Sequence, residues 1–183
     1  MIRIFFILTL FVSGHAYAQK FGYIDSDYIM GKMPEYAKAQ QEINKSSEKW
    51  QKELETMKVQ VDDLKKKFQA EEVLLTEDMR KERQDTIIAR DKALREYQKK
   101  VFGYEGLHFL KKQELIKPVQ DKVFEAVEKV AKSKQLQIVF DKSADLVMIY
   151  TNPVHDYSDY VLEELGLGDK NDKPDNDRYN NNR

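Results

Sequence analysis

An apolar seam that advances in alternating steps of three and four residues constrains this chain more than any other feature. It runs through Tyr36, Gln40, Ile43, Ser47, Trp50, Leu54, Met57, Val61, Leu64 and Phe68, and resumes at Ile87, Arg90, Leu94, Tyr97, Val101, Tyr104 and His108. That spacing keeps one stripe of a helix facing a second helix, as in a coiled coil. Between the two runs, Val73-Leu74-Leu75-Thr76 reverses the chain. There Thr76 can cap a new helix, whose first turn is favoured by Glu77 and Asp78. The pattern predicts an antiparallel helical hairpin over residues 34–118, with arms of about 40 residues that extend about 60 Å at the helical rise. Gln40 and Ser47 weaken the seam locally and can fix its register.

The flanks predict a small β-rich body, residues 19–33 and 119–168. Phe21-Gly22-Tyr23-Ile24 reads as a short strand, with Asp25, Ser26 or Asp27 capping a helical turn that Gly31 ends. Pro34 suits the first turn of the long arm. Gly103 and Gly106 fall inside the returning helical pattern, each costing about 1 kcal/mol there, and Pro118 removes a helical hydrogen bond. These three positions are expected to loosen the arm, with Pro118 as the joint between arm and body. Two further strands, Leu136 to Phe140 and Leu146 to Tyr150, are expected to form a hairpin across Asp141-Lys142-Ser143-Ala144-Asp145. Asn152-Pro153 marks a turn, and Asp156 or Ser158 caps a last helix that Gly166 closes. The Asn-, Asp- and Lys-rich residues 169–183 read as a disordered tail. The fold class is therefore α+β, mostly α.

Charged residues make up 34% of the 183, with only 7 Gly and 4 Pro, a composition that suits extended helix. At the N-terminus Arg3, the apolar run Ile4 to Val12 and Ala16-Tyr17-Ala18 form a secretory signal, so residues 1–18 are expected to be removed after Ala18 and the product delivered to the periplasm. The apolar run is too short to span a bilayer. No Cys is present, which excludes disulfide, zinc-thiolate and thiol chemistry. A formal net charge of −1 gives no basic bias toward nucleic acid. Lys65, Lys66, Lys67, Arg80, Lys81 and Arg83 near the reversal form either a solvated face or a weak attraction for an anionic polypeptide or an anionic surface, such as lipid or lipopolysaccharide.

Nothing in the chain composes an active site. Glu53 with Glu55, Asp62 with Asp63, and Glu71 with Glu72 sit among lysines at helical spacing, as solvated pairs do. His108 occupies the seam, where a polar layer is the simpler role than metal binding. Gly103-x-x-Gly106 lacks the strand and the Lys-Ser/Thr of a phosphate loop. No catalytic, cofactor or metal site is expected. One constellation does suggest a surface: Ile88, Phe102 and Phe109 lie one position past the seam at multiples of seven. They either widen the seam or stay exposed to contact unfolded chains, and Val59, Val73 and Leu74 are weaker candidates of the same kind. Phe21, Tyr23, Ile138, Phe140, Val147 and Ile149 are expected to have too few partners within one chain and to drive oligomerisation of the body.

The order of parts resembles the Skp/OmpH-like periplasmic chaperones. The resemblance is carried by Gly22-Tyr23-Ile24-Asp25 with Pro34-Glu35, by Leu136-Gln137-Ile138-Val139-Phe140-Asp141, and by Asp156-Tyr157-Ser158 before Val161-Leu162. It covers nearly the whole mature chain. It implies a homotrimer with a β-rich body and helical tentacles that hold unfolded outer-membrane proteins without nucleotide. The alternative from a different class is a structural envelope protein whose hairpin acts as a spacer or assembly rod.

Overall fold

The structure, a computed structural model, describes residues 20–144 and 148–168. The signal segment, Val147 and the tail after residue 168 lie outside the described residues. The chain divides into two compact units: one takes the residues up to Lys32 and from Lys122 onward, the other Met33–Asp121.

In the second unit, α2 (Pro34–Glu71) starts with proline in its first turn and ends in a short 3-10 turn, Glu72–Leu74. The expected reversal is there. Thr76 caps α3 (Glu77–Phe102) by accepting from the Met79 N–H, with Glu77 and Asp78 in the first turn and Lys99 and Lys100 in the last. Both charge placements oppose the helix macrodipole favourably. Cross-helix pairs establish the antiparallel sense, because partners descend on α2 as they rise along the returning chain: Glu71 with Arg83, Lys65 with Asp91, Glu53 with Tyr97, and Trp50 with His108.

The seam is covered along α2, where every expected position from Tyr36 to Phe68 is at least half-buried. Two positions on the returning chain depart from expectation. Arg90 is exposed, and the neighbouring Asp91 turns inward instead to meet Lys65 and Arg95. Tyr104 is 95% exposed because the helix has ended before it. Near the base of this unit, Ala39, Ile43 and Ile116 form a buried cluster with Tyr36 and Leu115 against it.

The largest correction on the returning chain concerns its glycines. Gly103 and Gly106 do not sit within a helix. α3 ends at Phe102, and α4 (Leu107–Lys134) begins after a turn in which the Gly106 N–H donates to the Gly103 carbonyl and Glu105 adopts φ 50°. Pro118 lies inside α4, which continues through it.

The first unit holds the sheet. β1 (Lys20–Ile24) pairs with β2 (Leu136–Asp141), and the pairing is parallel, with Phe21 opposite Ile138 and Tyr23 opposite Phe140. A parallel pair needs a long crossover, which the whole helical segment supplies. The expected strand hairpin is not formed among the described residues: Met148 to Tyr150 carry no ladder, and Ile149 is 97% exposed. β2 pairs instead with β1 through the crossover, and Met148 to Tyr150 lie outside the sheet among the described residues.

α1 (Ser26–Gly31) packs on α5 (Ser158–Glu164), and Ile29 and Val161 are wholly buried. Each such side chain contributes about 1.5–3 kcal/mol. Asp25 joins three parts of this unit. Its carboxylate accepts from the Tyr28 N–H and pairs with Lys142, while its backbone N–H donates to the Ser158 hydroxyl at 2.9 Å. Ser158 is buried, and its hydroxyl donates onward to Asp156 at 2.6 Å. Gly166, at φ 72°, closes α5, and the Leu167 N–H reaches back to the Leu162 carbonyl.

Asp141 completes the lock by accepting from the Ser26 N–H at 3.1 Å and from both the N–H and hydroxyl of Ser143. Partial burial pushes its carboxyl upward, but the Ser26 and Ser143 hydrogen bonds outweigh this and hold it below the ordinary value of 3.8. A carboxyl with a depressed folded pKa stabilises the fold fully above that ordinary value and loses its contribution as pH falls through the lower one. Asp141→Ala should therefore cost about 1–2 kcal/mol near neutral pH, as loss of a helix cap does. In denaturant titrations the gap between variant and parent should narrow in strong acid; a gap that widens on acidification would refute this role.

Candidate functional site

The exposed apolar side chains of the second unit follow from geometry. Two helices can bury only the stripe each turns to the other, and residues beside that stripe stay in water. Ile88 on α3, Phe102 at its end and Phe109 in the first turn of α4 are all exposed, as is Val59 on α2. Val73 and Leu74 are 85% and 82% exposed in the 3-10 turn, where three residues cannot fold back over their own side chains.

Phe102 is brought to the seam at the start of the α3–α4 break. The ring of Phe102 lies 5.7 Å from that of His108, which also meets Trp50 edge-on at 6.5 Å. His108 is thus a half-buried aromatic layer between the helices at the α3–α4 break, with Phe109 next to it. Ile88 lies two heptads before Phe102, Val59 is on the opposite helix, and Val73 and Leu74 are at the reversal. These candidates are spread along the hairpin and do not form a single pocket.

Sequence reasoning did not single out several exposed groups. Leu110 joins Phe102, Tyr104 and Phe109 around the break, and Met79 is exposed near the reversal. The signal for the first group was present as Gly-Tyr-Glu-Gly, which ends a helix when the glycines are needed for close approach. A Cβ on Gly106 would stand 2.6 Å from the Val101 carbonyl oxygen, and one on Gly103 would stand 2.3 Å from that of Lys99.

Polar contacts pin the two helices around this surface. Glu42 and Glu114 flank Lys111: the hydrogen bond that its ammonium donates to Glu42, helped by the charges of both carboxylates, outweighs desolvation and holds it above the ordinary value. Tyr97 donates to Glu53, and that bond, with burial and the carboxylate charge, pushes the phenol up to about 12. Lys49, Lys52, Thr56 and Met57 line a groove of about 470 Å³ beside this pair. Among the described residues no group of three His, Asp or Glu side chains is placed to hold a metal ion.

In the first unit, Phe21, Ile138 and Phe140 share one face of the sheet and are exposed, and Phe21 lies 4.7 Å from the His155 ring. Phe124 on α4 is 70% exposed and was not anticipated. Tyr23 corrects the expectation that these residues lack partners within one chain. It is buried, because the segment before α5 runs along the free side of β1 and the Tyr157 N–H donates to the Tyr23 carbonyl.

The glycine break yields a direct expectation. Gly106→Ala should destabilise the protein by about 1–3 kcal/mol, because the added methyl meets backbone oxygens that cannot move without remaking the turn. Chemical denaturation measures this, and a more stable variant with unbroken helix would contradict the turn geometry.

Three comparisons bear on what this surface serves. The profile of the family described as outer membrane protein (OmpH-like) matches residues 20–165. An uncharacterised protein of Aquifex aeolicus (strain VF5) is 30% identical over 161 residues, covering 88% of this chain and 94% of that one. The crystal structure of an OmpH-like protein from Caulobacter crescentus CB15, described there as a candidate outer membrane chaperone, superposes with a TM-score of 0.60 at 16% identity. That match covers 84% of this chain and 86% of the other.

Proposed function

Because the chain belongs to the OmpH-like outer membrane protein family, we propose that it is a periplasmic holdase chaperone that keeps unfolded outer-membrane proteins from aggregating, without nucleotide. The observation that carries this reading is the row of exposed apolar residues, Ile88, Phe102 and Phe109, beside a seam that is covered except at Arg90 and Tyr104. Each such residue offers a weak contact, and several hairpins in one assembly multiply weak contacts through effective concentration. A client is then retained without a tight pocket and released without an energy source.

The assembly is a homotrimer held by the sheet-bearing unit. Phe21, Ile138, Phe140 and Ile149 are exposed apolar groups on a two-stranded sheet or near it, and a sheet so small gains stability by joining others. Export requires cleavage after Ala18, which the N-terminal residue of the secreted protein reports. The break between α3 and α4 favours a compliant binding arm over a spacer rod, which would need continuous helix.

Replacing Ile88, Phe102 and Phe109 together by Ser tests the reading. Holding of an unfolded β-barrel protein should weaken on the order of tenfold, equivalent to about 1.4 kcal/mol, while helicity and oligomeric state stay as in the parent. Loss of the helical signal would instead assign these residues to the packing between helices. Holding equal to the parent's, or release triggered by ATP, would contradict the reading.

A further inference from the structure

The α3–α4 break brings together two kinds of group, lysines and exposed aromatic side chains. From Lys99 to Lys112 the sequence carries four lysines and one acid, Glu105, in a chain whose net charge is only −1. Lys111 is engaged by Glu42 and Glu114. Lys99, Lys100 and Lys112 have no carboxylate within ion-pair reach among the described residues. Among these charges stand Phe102, Tyr104, Phe109 and Leu110, all exposed, with Tyr104 almost entirely so.

The spacing of the two sets is regular. Lys99 precedes Phe102 by three residues on α3, and Lys112 follows Phe109 by three on α4, so each ring has an unpaired ammonium about one turn away on its own helix face. One helical turn is about 5.4 Å, close to the roughly 6.5–7 Å between alternate side chains of an extended chain. A strand-like segment can therefore set an aromatic residue against a ring and place the next side chain on that face at a lysine. That next residue is favoured when it is acidic, since an unpaired ammonium attracts a carboxylate. Exposed rings in turn favour aromatic partners by edge or offset contact.

Resting on the holdase reading, we infer that the break is a docking station for extended polypeptide segments in which an aromatic and an acidic residue stand two apart, on one face of the strand. It selects among unfolded clients by charge pattern, whereas Ile88, two heptads farther along the hairpin, selects only for apolar character. The turn between the helices adds Tyr104, 95% exposed, between Phe102 at the end of α3 and Phe109 in the first turn of α4.

The test uses the intact oligomer and two short fluorescent peptides, one repeating Tyr-Ser-Asp-Ser, which sets Tyr and Asp on one face of an extended chain, and its twin with Lys in place of Asp. The acidic peptide should bind about tenfold more tightly than its twin at low salt, and the preference should shrink as added salt screens the lysines. Lys99→Glu with Lys100→Glu and Lys112→Glu should invert the preference, and Tyr104→Ser with Leu110→Ser should weaken both peptides, each without changing helicity. If the parent holds an unfolded β-barrel protein but binds the two peptides equally, the station falls and the holdase reading stands. If the parent holds no client, both fall. A changed oligomeric state in Tyr104→Ser with Leu110→Ser would make the surface a contact between copies, and binding to anionic vesicles with no peptide preference would make it a lipid contact; either overturns the inference.

Discussion

The packing of α2 against the returning chain is the interaction on which the rest depends. It is narrow, since each helix offers the other a single stripe, and it is pinned by a few cross-helix contacts such as Tyr97 to Glu53 and Lys65 to Asp91. Pairs of this kind, screened by solvent, set alignment more than they supply stability. The narrow seam has a consequence for function. Every large apolar residue placed beside it must remain in contact with water, and this chain places Ile88, Phe102 and Phe109 there. A surface that would be a liability in a compact domain is, in a hairpin, the part available to other polypeptides.

Stability of the other unit is built differently. Asp25 and Asp141 tie α1 to the ends of β2 and α5 through hydrogen bonds that span more than a hundred residues of sequence. The central partner, Ser158, is buried with its hydroxyl used as both donor and acceptor. Such a network fixes the ends of the chain segment that carries all the long helices, and it does so with short polar side chains where a small sheet has little apolar area to offer.

The helices were legible in the sequence because their signals are local. Pro34 at the start of α2, Thr76 at the cap of α3 and Gly166 after α5 stand where the sequence predicts. So does the covered seam on α2. The sheet was not legible in the same way, since pairing of β1 with β2 is decided by segments more than a hundred residues apart, and proximity in sequence pointed instead to a hairpin after β2. Tyr23 was misjudged for a related reason: the segment that covers it, Asp156 and Tyr157, lies far along the chain. The glycine break is visible in the sequence as Gly-Tyr-Glu-Gly, which by local pattern alone reads as a weak stretch of helix. The close approach of Gly106 to the Val101 carbonyl, which makes it a turn, exists only in three dimensions. The exposed candidates Ile88, Phe102 and Phe109 were found because heptad arithmetic separates seam from flank without knowledge of tertiary structure.

The central claim is that clients lie on the exposed flank of the hairpin and not on the sheet. A photo-cross-linking residue introduced singly at Ile88, Phe109, the seam position Leu94 and the sheet position Ile138 measures this directly, in the presence of an unfolded β-barrel protein. The account predicts client adducts from Ile88 and Phe109, few from Leu94, and adducts between copies of this chain from Ile138. Client adducts confined to Ile138, with none from Ile88 or Phe109, would contradict it.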